Sequence, residues 1–294
     1  MRAGRNRLFN INKKYFKIAV AAVVVVIAIV IVALVASSNK KAAEKQSAVD
    51  AVAKTGVFNI GLRGDIGTLC LYDEQTKTYT GLEKDIADEL AERLFPDGGV
   101  LVNFVSVNSE TKDSMLQQGK LDISLGASVK GSASGIKYSQ SYYSDACAFL
   151  VREGEMTSED GLSGGKIAVI QGTYPATKQK NNKSLTYLDE YLSQNGIQAF
   201  VKLYASYPEA IEALKDGLVT AVCANEINLK LFGKAGMLIL PERFMPISYC
   251  VQVRGALGVF IDSVNDCLSE MKSDGTISTL LDKYELVDYG ELTD

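Results

Sequence analysis

Ile18 to Ala36 is an unbroken run of 19 apolar residues, mostly valine, isoleucine and alanine. At about 1.5 Å per residue a helix of this length covers roughly 28 Å, close to one hydrocarbon core. Residues 37–54 are polar and alanine-rich, carry no apolar stripe, and read as a stalk, helical or disordered. From Thr55 onward the pattern is that of a folded α/β protein. Residues 58–63 predict a strand, and Tyr72 to Tyr79 a turn-rich hairpin. Leu82, Ile86, Leu90 and Leu94 recur every four residues and predict a helix over 82–94. A strand at 100–105, a helix at 113–118 and a long strand at 142–152 follow. Beyond them come a strand at 166–171, a helix start at Gly172-Thr173-Tyr174-Pro175, a helix at 208–214 and a strand at 249–254. The chain closes with an apolar-periodic segment at 260–272, a turn at 273–275 and a last helix at 276–284.

One pattern occurs twice, 98 residues apart. The copies are Leu116-Gln-Gln-Gly-Lys-Leu-Asp-Ile-Ser-Leu-Gly-Ala127 and Leu214-Lys-Asp-Gly-Leu-Val-Thr-Ala-Val-Cys-Ala-Asn225. Each predicts the end of an amphipathic helix, a glycine in the left-handed cap position (Gly119, Gly217), and a short strand covered on both faces. Each half also opens on a strand that runs into glycine, at 58–65 and 166–173. Two α/β lobes of related design predict a cleft between them, with ligands beyond the carboxyl ends of the strands. The long segments at 142–152 and 249–254 cross between lobes, and two crossings form a hinge that closes over a ligand. The expected layout is a basic segment 1–17, a transmembrane helix 18–36, a stalk 37–54, lobe 1 from 55–150 and 251–294, and lobe 2 from 151–250.

Charge sharpens this picture. Residues 1–17 carry six basic side chains and no acid. Against a chain total of −4, that +6 leaves −10 on the rest, which speaks against a nucleic-acid surface. The basic flank predicts a cytoplasmic N-terminus and an extracytoplasmic folded part. The apolar run is longer than the core of a cleavable signal peptide, so it reads as an uncleaved anchor, with a signal peptide cleaved near Ala36 as the alternative. The five cysteines are odd in number and form no Cys-x-x-Cys, and they read as buried free thiols acting as small hydrophobes. Histidine is absent, which removes the commonest general base and metal ligand. Neither a cofactor nor a metal is expected.

The ordered set Tyr79-Thr-Gly-Leu-Glu-Lys-Asp-Ile-Ala-Asp-Glu-Leu90, Leu116 to Asp122, Tyr142-Tyr143 with Phe149-Leu-Val-Arg152, Lys166 to Thr173, and Glu270-Met-Lys-Ser-Asp-Gly-Thr276 resembles one family. This family is the extracytoplasmic solute-binding proteins of amino-acid ABC transporters, family 3, with the type II periplasmic-binding-protein fold. The resemblance spans 55–294. It implies a two-lobed protein, here membrane-anchored, that captures a small polar solute such as an amino acid and delivers it to an ABC permease. It also implies an arginine, soon after Gly-Lys-Leu-Asp, that forks onto the ligand carboxylate, and an aspartate after the second-repeat strand that takes the ammonium.

The chain departs from that pattern at both places. Residues 128–137 hold no arginine; Ser128, Ser132 and Ser134 fall in that region, with Lys130 and Lys137 nearby. Asn225 stands at the aspartate position, next to Glu226. The expected ligand-binding set is therefore Arg63, Asp65, Tyr72, Ser128, Ser132, Thr173, Tyr174 and Asn225. Plainer roles stay open: Arg63 as a solvated strand-end charge, Asp65 and Asn225 as turn residues, Thr173 as a helix cap. Two other classes were weighed. A sensory or degenerate binding domain would tolerate the missing anchors, although the cytoplasmic part is too short for a signalling domain. An enzyme has weak support: Ser134-Gly-Ile-Lys137 and Lys54-Thr-Gly56 match penicillin-recognising motifs in the wrong order.

Overall fold

The computed structural model describes residues 13–171, 173, 178–180, 183–185 and 187–290. Helix α1 (Lys13–Ala53) is continuous, so the apolar run and the stalk form a single 41-residue rod. The large apolar side chains from Val23 to Val35 are at least 50% exposed, so no other described part of the chain packs over them. The stalk's far end is docked. Val49 and Val52 are 8% and 1% exposed and join the main core. Lys41 and Lys45 pair with Asp262 and Asp266. The sequence shows no stripe here because two valines three residues apart are too few to make a period, yet they share one helix face.

Lobe 1 begins with β1 (Val57–Leu62), the hairpin β2 (Leu71–Asp73) and β3 (Thr78–Thr80), and helix α2 (Leu82–Leu94). Next come β4 (Leu101–Ser106), α3 (Lys112–Gln117) and β5 (Ile123–Ser124). Strand β1 lies between β4 and β5, parallel to both. The apolar face of α2 (Leu82, Ile86, Leu90, Leu94) buries against Phe58, Ile60 and Leu62 of β1. Parallel strands buried on both faces need the near-continuous apolar runs seen here.

Strand β6 (Ile136–Arg152) leaves this lobe. Lobe 2 then contains β7 (Lys166–Ile170), the hairpin β8 (Lys178–Lys180) and β9 (Lys183–Leu185), α4 (Tyr187–Gln194) and β10 (Phe200–Tyr204). It continues with α5 (Tyr207–Lys215), β11 (Ala221–Asn225), α6 (Glu226–Phe232) and β12 (Met237–Ile239). Strand β7 is parallel to β10 and β11. Successive residues of β6 feed opposite cores, Cys147, Phe149 and Val151 on one face, Ala148 and Leu150 on the other, as the two-residue period of a strand requires. The helix start expected at 172–175 lies, apart from Thr173, outside the described residues; from 178 the β8–β9 hairpin follows.

Strand β13 (Phe244–Arg254) returns, and α7 (Phe260–Ser273) and α8 (Thr276–Lys283) complete lobe 1. β6 and β13 run antiparallel and tie both lobes into one ladder, β10-β7-β11-β6-β13-β5-β1-β4. β13 starts at Phe244 rather than 249. Pro246 hides this start, because proline gives no ladder N–H, and the pairing shifts register between Phe244 and Ile247.

The repeat has a structural meaning. Gly119 and Gly217 sit at φ 73° and 74°. Each donates its N–H to the leucine three residues back, and the next residue donates to the residue five before it. The residue three past each glycine pins the first strand of its lobe. Asp122 accepts from Asn59 N–H at 2.9 Å, and Thr220 Oγ1 accepts from Lys166 N–H at 3.3 Å.

Candidate functional site

The C-terminal ends of β1, β4 and β5 gather the polar groups of lobe 1. Arg63 directly follows β1. Its guanidinium binds Asp65 through both carboxylate oxygens, at 2.8 and 3.1 Å, and donates to Ser109 Oγ at 3.0 Å. The Arg63 bonds come first among the causes that hold the Asp65 carboxyl below its usual range, against partial burial. After β5 the chain turns through Gly126 and Ala127, at φ 52° and 50°. Ser128 is buried and donates to Gln252 Oε1 at 3.1 Å.

Two residues of this cluster escaped the sequence reading. Lys112, the first residue of α3, donates to Ser128 Oγ at 2.8 Å and to the Gly126 carbonyl at 3.3 Å. Burial pulls its ammonium below the usual lysine range. Glu83 is fully buried. Its Oε1 accepts from Ala127 N–H at 2.7 Å and Tyr142 Oη at 2.5 Å, while Oε2 has no partner among the described residues. Burial pushes the Glu83 carboxyl up. The available signal was a charged residue at an inward position of an otherwise apolar helix face.

The other predicted residues are more scattered. The Tyr72 backbone rests on Gly64, but its ring packs at a tilt against Tyr79 and lines a groove with Phe104 and Ser106 that no other described member of the predicted site lines. Ser132 is exposed on the loop before β6. In lobe 2, Thr173 Oγ1 donates to the Ile170 carbonyl at the end of β7, at 2.7 Å, which leaves its lone pairs as acceptors. Asn225 ends β11. It is buried, and its Nδ2 has no partner among the described residues, a costly state unless another group, a ligand or water supplies an acceptor. Tyr174 lies outside the described residues. The enzyme-motif residues are engaged elsewhere: Lys137 Nζ donates to the Gly258 carbonyl at 2.6 Å, and the Ser134 carbonyl accepts from Gln117.

The lobes meet around α6. Ile227 buries in the lobe 1 core. Leu231 approaches Gly67 so closely that a Cβ there would lie 2.5 Å from Leu231 Cδ2. The segment after α8 spans the hinge. Tyr289 N–H donates to the Ser144 carbonyl at 2.9 Å, and its hydroxyl reaches Glu226 and Arg243. Burial alone would raise Glu226, but hydrogen bonds from Arg243, Tyr289 and Lys230 outweigh it and hold the carboxyl at about 2. Glu226 is thus committed to the hinge.

The model of the bacterial extracellular solute-binding proteins, family 3, matches residues 59–287. The chain belongs to this family. It is 23% identical over 239 residues to the L-cystine-binding protein TcyA of Bacillus subtilis, covering 80% of this chain and 83% of that one. It is 24% identical over 247 residues to the L-cystine-binding protein TcyJ of Escherichia coli, covering 81% and 86%. An ancestral cationic amino acid solute-binding protein superposes with a TM-score of 0.63 at 23% identity, over 80% of this chain and 98% of that one. A substrate-binding protein of an amino acid ABC transporter from Streptococcus pneumoniae, bound to L-arginine, gives 0.58 at 20% identity, over 82% and 99%. The fold is the two-lobed type II periplasmic-binding-protein fold, preceded by one apolar helix long enough to cross a membrane.

Asp145 of β6 sits between the lobes of this fold. Its carboxylate accepts from Ala146 N–H and from Ile227 N–H at the start of α6. Burial pushes it up to about 7, against those two bonds. A carboxyl raised in the folded state stabilises the fold below its unfolded value, near 3.8, and that contribution is lost as pH rises through about 7. Asp145→Asn removes the dependence. The melting temperature of the wild type is expected to fall more between pH 5 and pH 8 than that of the variant, by an amount worth on the order of 3 kcal/mol. Parallel pH curves for the two proteins would refute this.

Proposed function

We propose that the chain is a membrane-tethered substrate-binding protein that captures a small, polar, amino-acid-like solute between its lobes and delivers it to an ABC permease. The observation that carries this reading is the polar cluster of Arg63, Lys112 and Ser128 at the carboxyl ends of the lobe 1 strands, in a fold hinged by β6 and β13. Lobe 1 comprises 55–150 and 251–294 and lobe 2 comprises 151–250, with α1 as the tether and the folded part on the extracytoplasmic side. The family's solute-binding character and the named relatives, which bind cystine or arginine, support a solute of this class. Binding without catalysis fits side chains that are held in structural bonds rather than aimed at one another. The docking of Val52 on lobe 1 makes the tether stiff, so closure moves lobe 2 towards a lobe 1 fixed relative to the membrane.

A thermal-shift screen of the full chain in lipid nanodiscs tests the reading, because a solute that binds only the folded form raises the melting temperature by mass action. L-Cystine, L-arginine and the common amino acids form the panel. At least one is expected to stabilise the protein, and Arg63→Ala and Thr173→Ala are each expected to remove most of that shift. A well-folded protein that responds to no member would favour the sensory or degenerate-domain reading.

A further inference from the structure

Residues 128–137, where the family resemblance implies a carboxylate-binding arginine, hold none, and the lysines there do not replace it. Lys130 is exposed, and Lys137 is bound to the Gly258 carbonyl. A cation reaches the same loop from a different element. Lys112 Nζ touches the two ends of the Gly126–Ser128 turn, which follows β5. An ammonium has three N–H donors, and these two bonds use two of them. The position is fixed from behind: Ser128 Oγ donates to Gln252, and Gln252 Nε2 donates to Asp113 at 2.9 Å. Asp113 is thereby engaged. The turn itself is held by Glu83, which accepts from Ala127 N–H and stays protonated more readily than an ordinary carboxyl because it is buried. Arg63 Cγ lies 3.8 Å from where a Gly126 Cβ would stand, so both side chains border one glycine. That place is outside the carboxyl ends of parallel strands, where ligands bind in open α/β sheets.

We propose that Lys112 is the carboxylate anchor of the cleft, in place of the arginine that the family resemblance implies, with Arg63, paired to Asp65, at its border. This rests on the solute-binding reading above and names its chemistry. The ligand is a carboxylate-bearing solute. Recognition is lopsided, because no acid is free for an ammonium at the lobe 2 positions: Asn225 is neutral and Glu226 is held by Arg243, Lys230 and Tyr289. Affinity therefore depends strongly on the carboxylate and weakly on the α-ammonium.

The test is isothermal titration of the full chain in nanodiscs with matched probes. L-Arginine is compared with agmatine, which lacks the carboxylate, and with 5-guanidinopentanoic acid, which lacks the α-ammonium. L-Cystine is compared with cystamine. The wild type is expected to prefer each acid over its amine and to bind the guanidino acid within roughly tenfold of arginine. Losing one charged hydrogen-bond partner corresponds to roughly a 10- to 150-fold weakening, so Lys112→Gln is expected to weaken the acids by that factor and leave the amines unchanged. Lys112→Arg is expected to stay within about tenfold of the wild type for the acids. Acid binding that is unchanged in K112Q, or a wild type that binds acid and amine equally, overturns this inference alone. A wild type that binds none of the probes overturns the amino-acid-binding reading and this inference with it.

Discussion

Asp122→Ala is expected to lower the unfolding free energy by about 3 kcal/mol, the range for breaking a mostly buried ion pair from one side. Asp122 is the last residue of Gly-Lys-Leu-Asp, and its two oxygens serve different strands. Oδ2 accepts from the Asn59 N–H of β1, and Oδ1 accepts from Arg254 at the end of β13, at 2.8 Å. Alanine leaves both donors stranded, and Arg254 Nε already lacks a partner among the described residues. For a folded part of this size the melting temperature should fall by roughly 6–12 °C. Asp122→Asn keeps one acceptor and should lose about half as much. A drop below about 2 °C in Asp122→Ala would show that the pair is screened and contributes little. Thr220, its counterpart in the second repeat, makes a neutral bond, so the motif's polar residue is structural in both lobes and stronger in the first.

Glu226→Ala is the second large effect, expected to cost about 2 kcal/mol at neutral pH. Glu226 ties three parts of the chain: Lys230 of its own helix, Arg243 before β13, and Tyr289 beyond α8. The sign with pH is definite. A carboxyl depressed to about 2 stabilises the fold above its unfolded value near 4.5, and this is lost as pH falls through about 2. The gap between wild type and variant should be full at pH 7 and shrink in acid. The same substitution releases the tail, so exchange of the Tyr289 amide, bonded to the Ser144 carbonyl, should speed up. Unaltered exchange at Tyr289 would mean that Asp288 and Leu286 hold the tail without Glu226.

Much of the fold was legible because its signals are local. The four-residue leucine spacing placed α2 at the observed limits, and the twin glycine caps found the repeat before any contact was known. The membrane-length helix needed only a count of apolar residues. The misses share a cause. Val49 and Val52 are buried by α7, far along the chain, and β13 begins early because β6 lies beside it. The candidate site was legible only in part. Of the expected residues, Arg63 and Ser128 both lie by the turn after β5, whereas Tyr72 faces another groove and Ser132 faces solvent. Lys112 was invisible because a lysine opening a short polar helix looks solvated.

The sequence by itself determined the α/β class, the two-lobed repeat and the membrane-length apolar helix, since each follows from periodicity, length or residue identity within a short window, and the family resemblance implied an arginine and an aspartate that the chain does not carry. Only the tertiary structure decided that the stalk is docked, that the tail spans the hinge, and that Lys112 and Arg63 border Gly126. Those facts depend on groups distant in sequence meeting at strand ends, where burial and a few fixed hydrogen bonds, rather than local propensity, set the geometry.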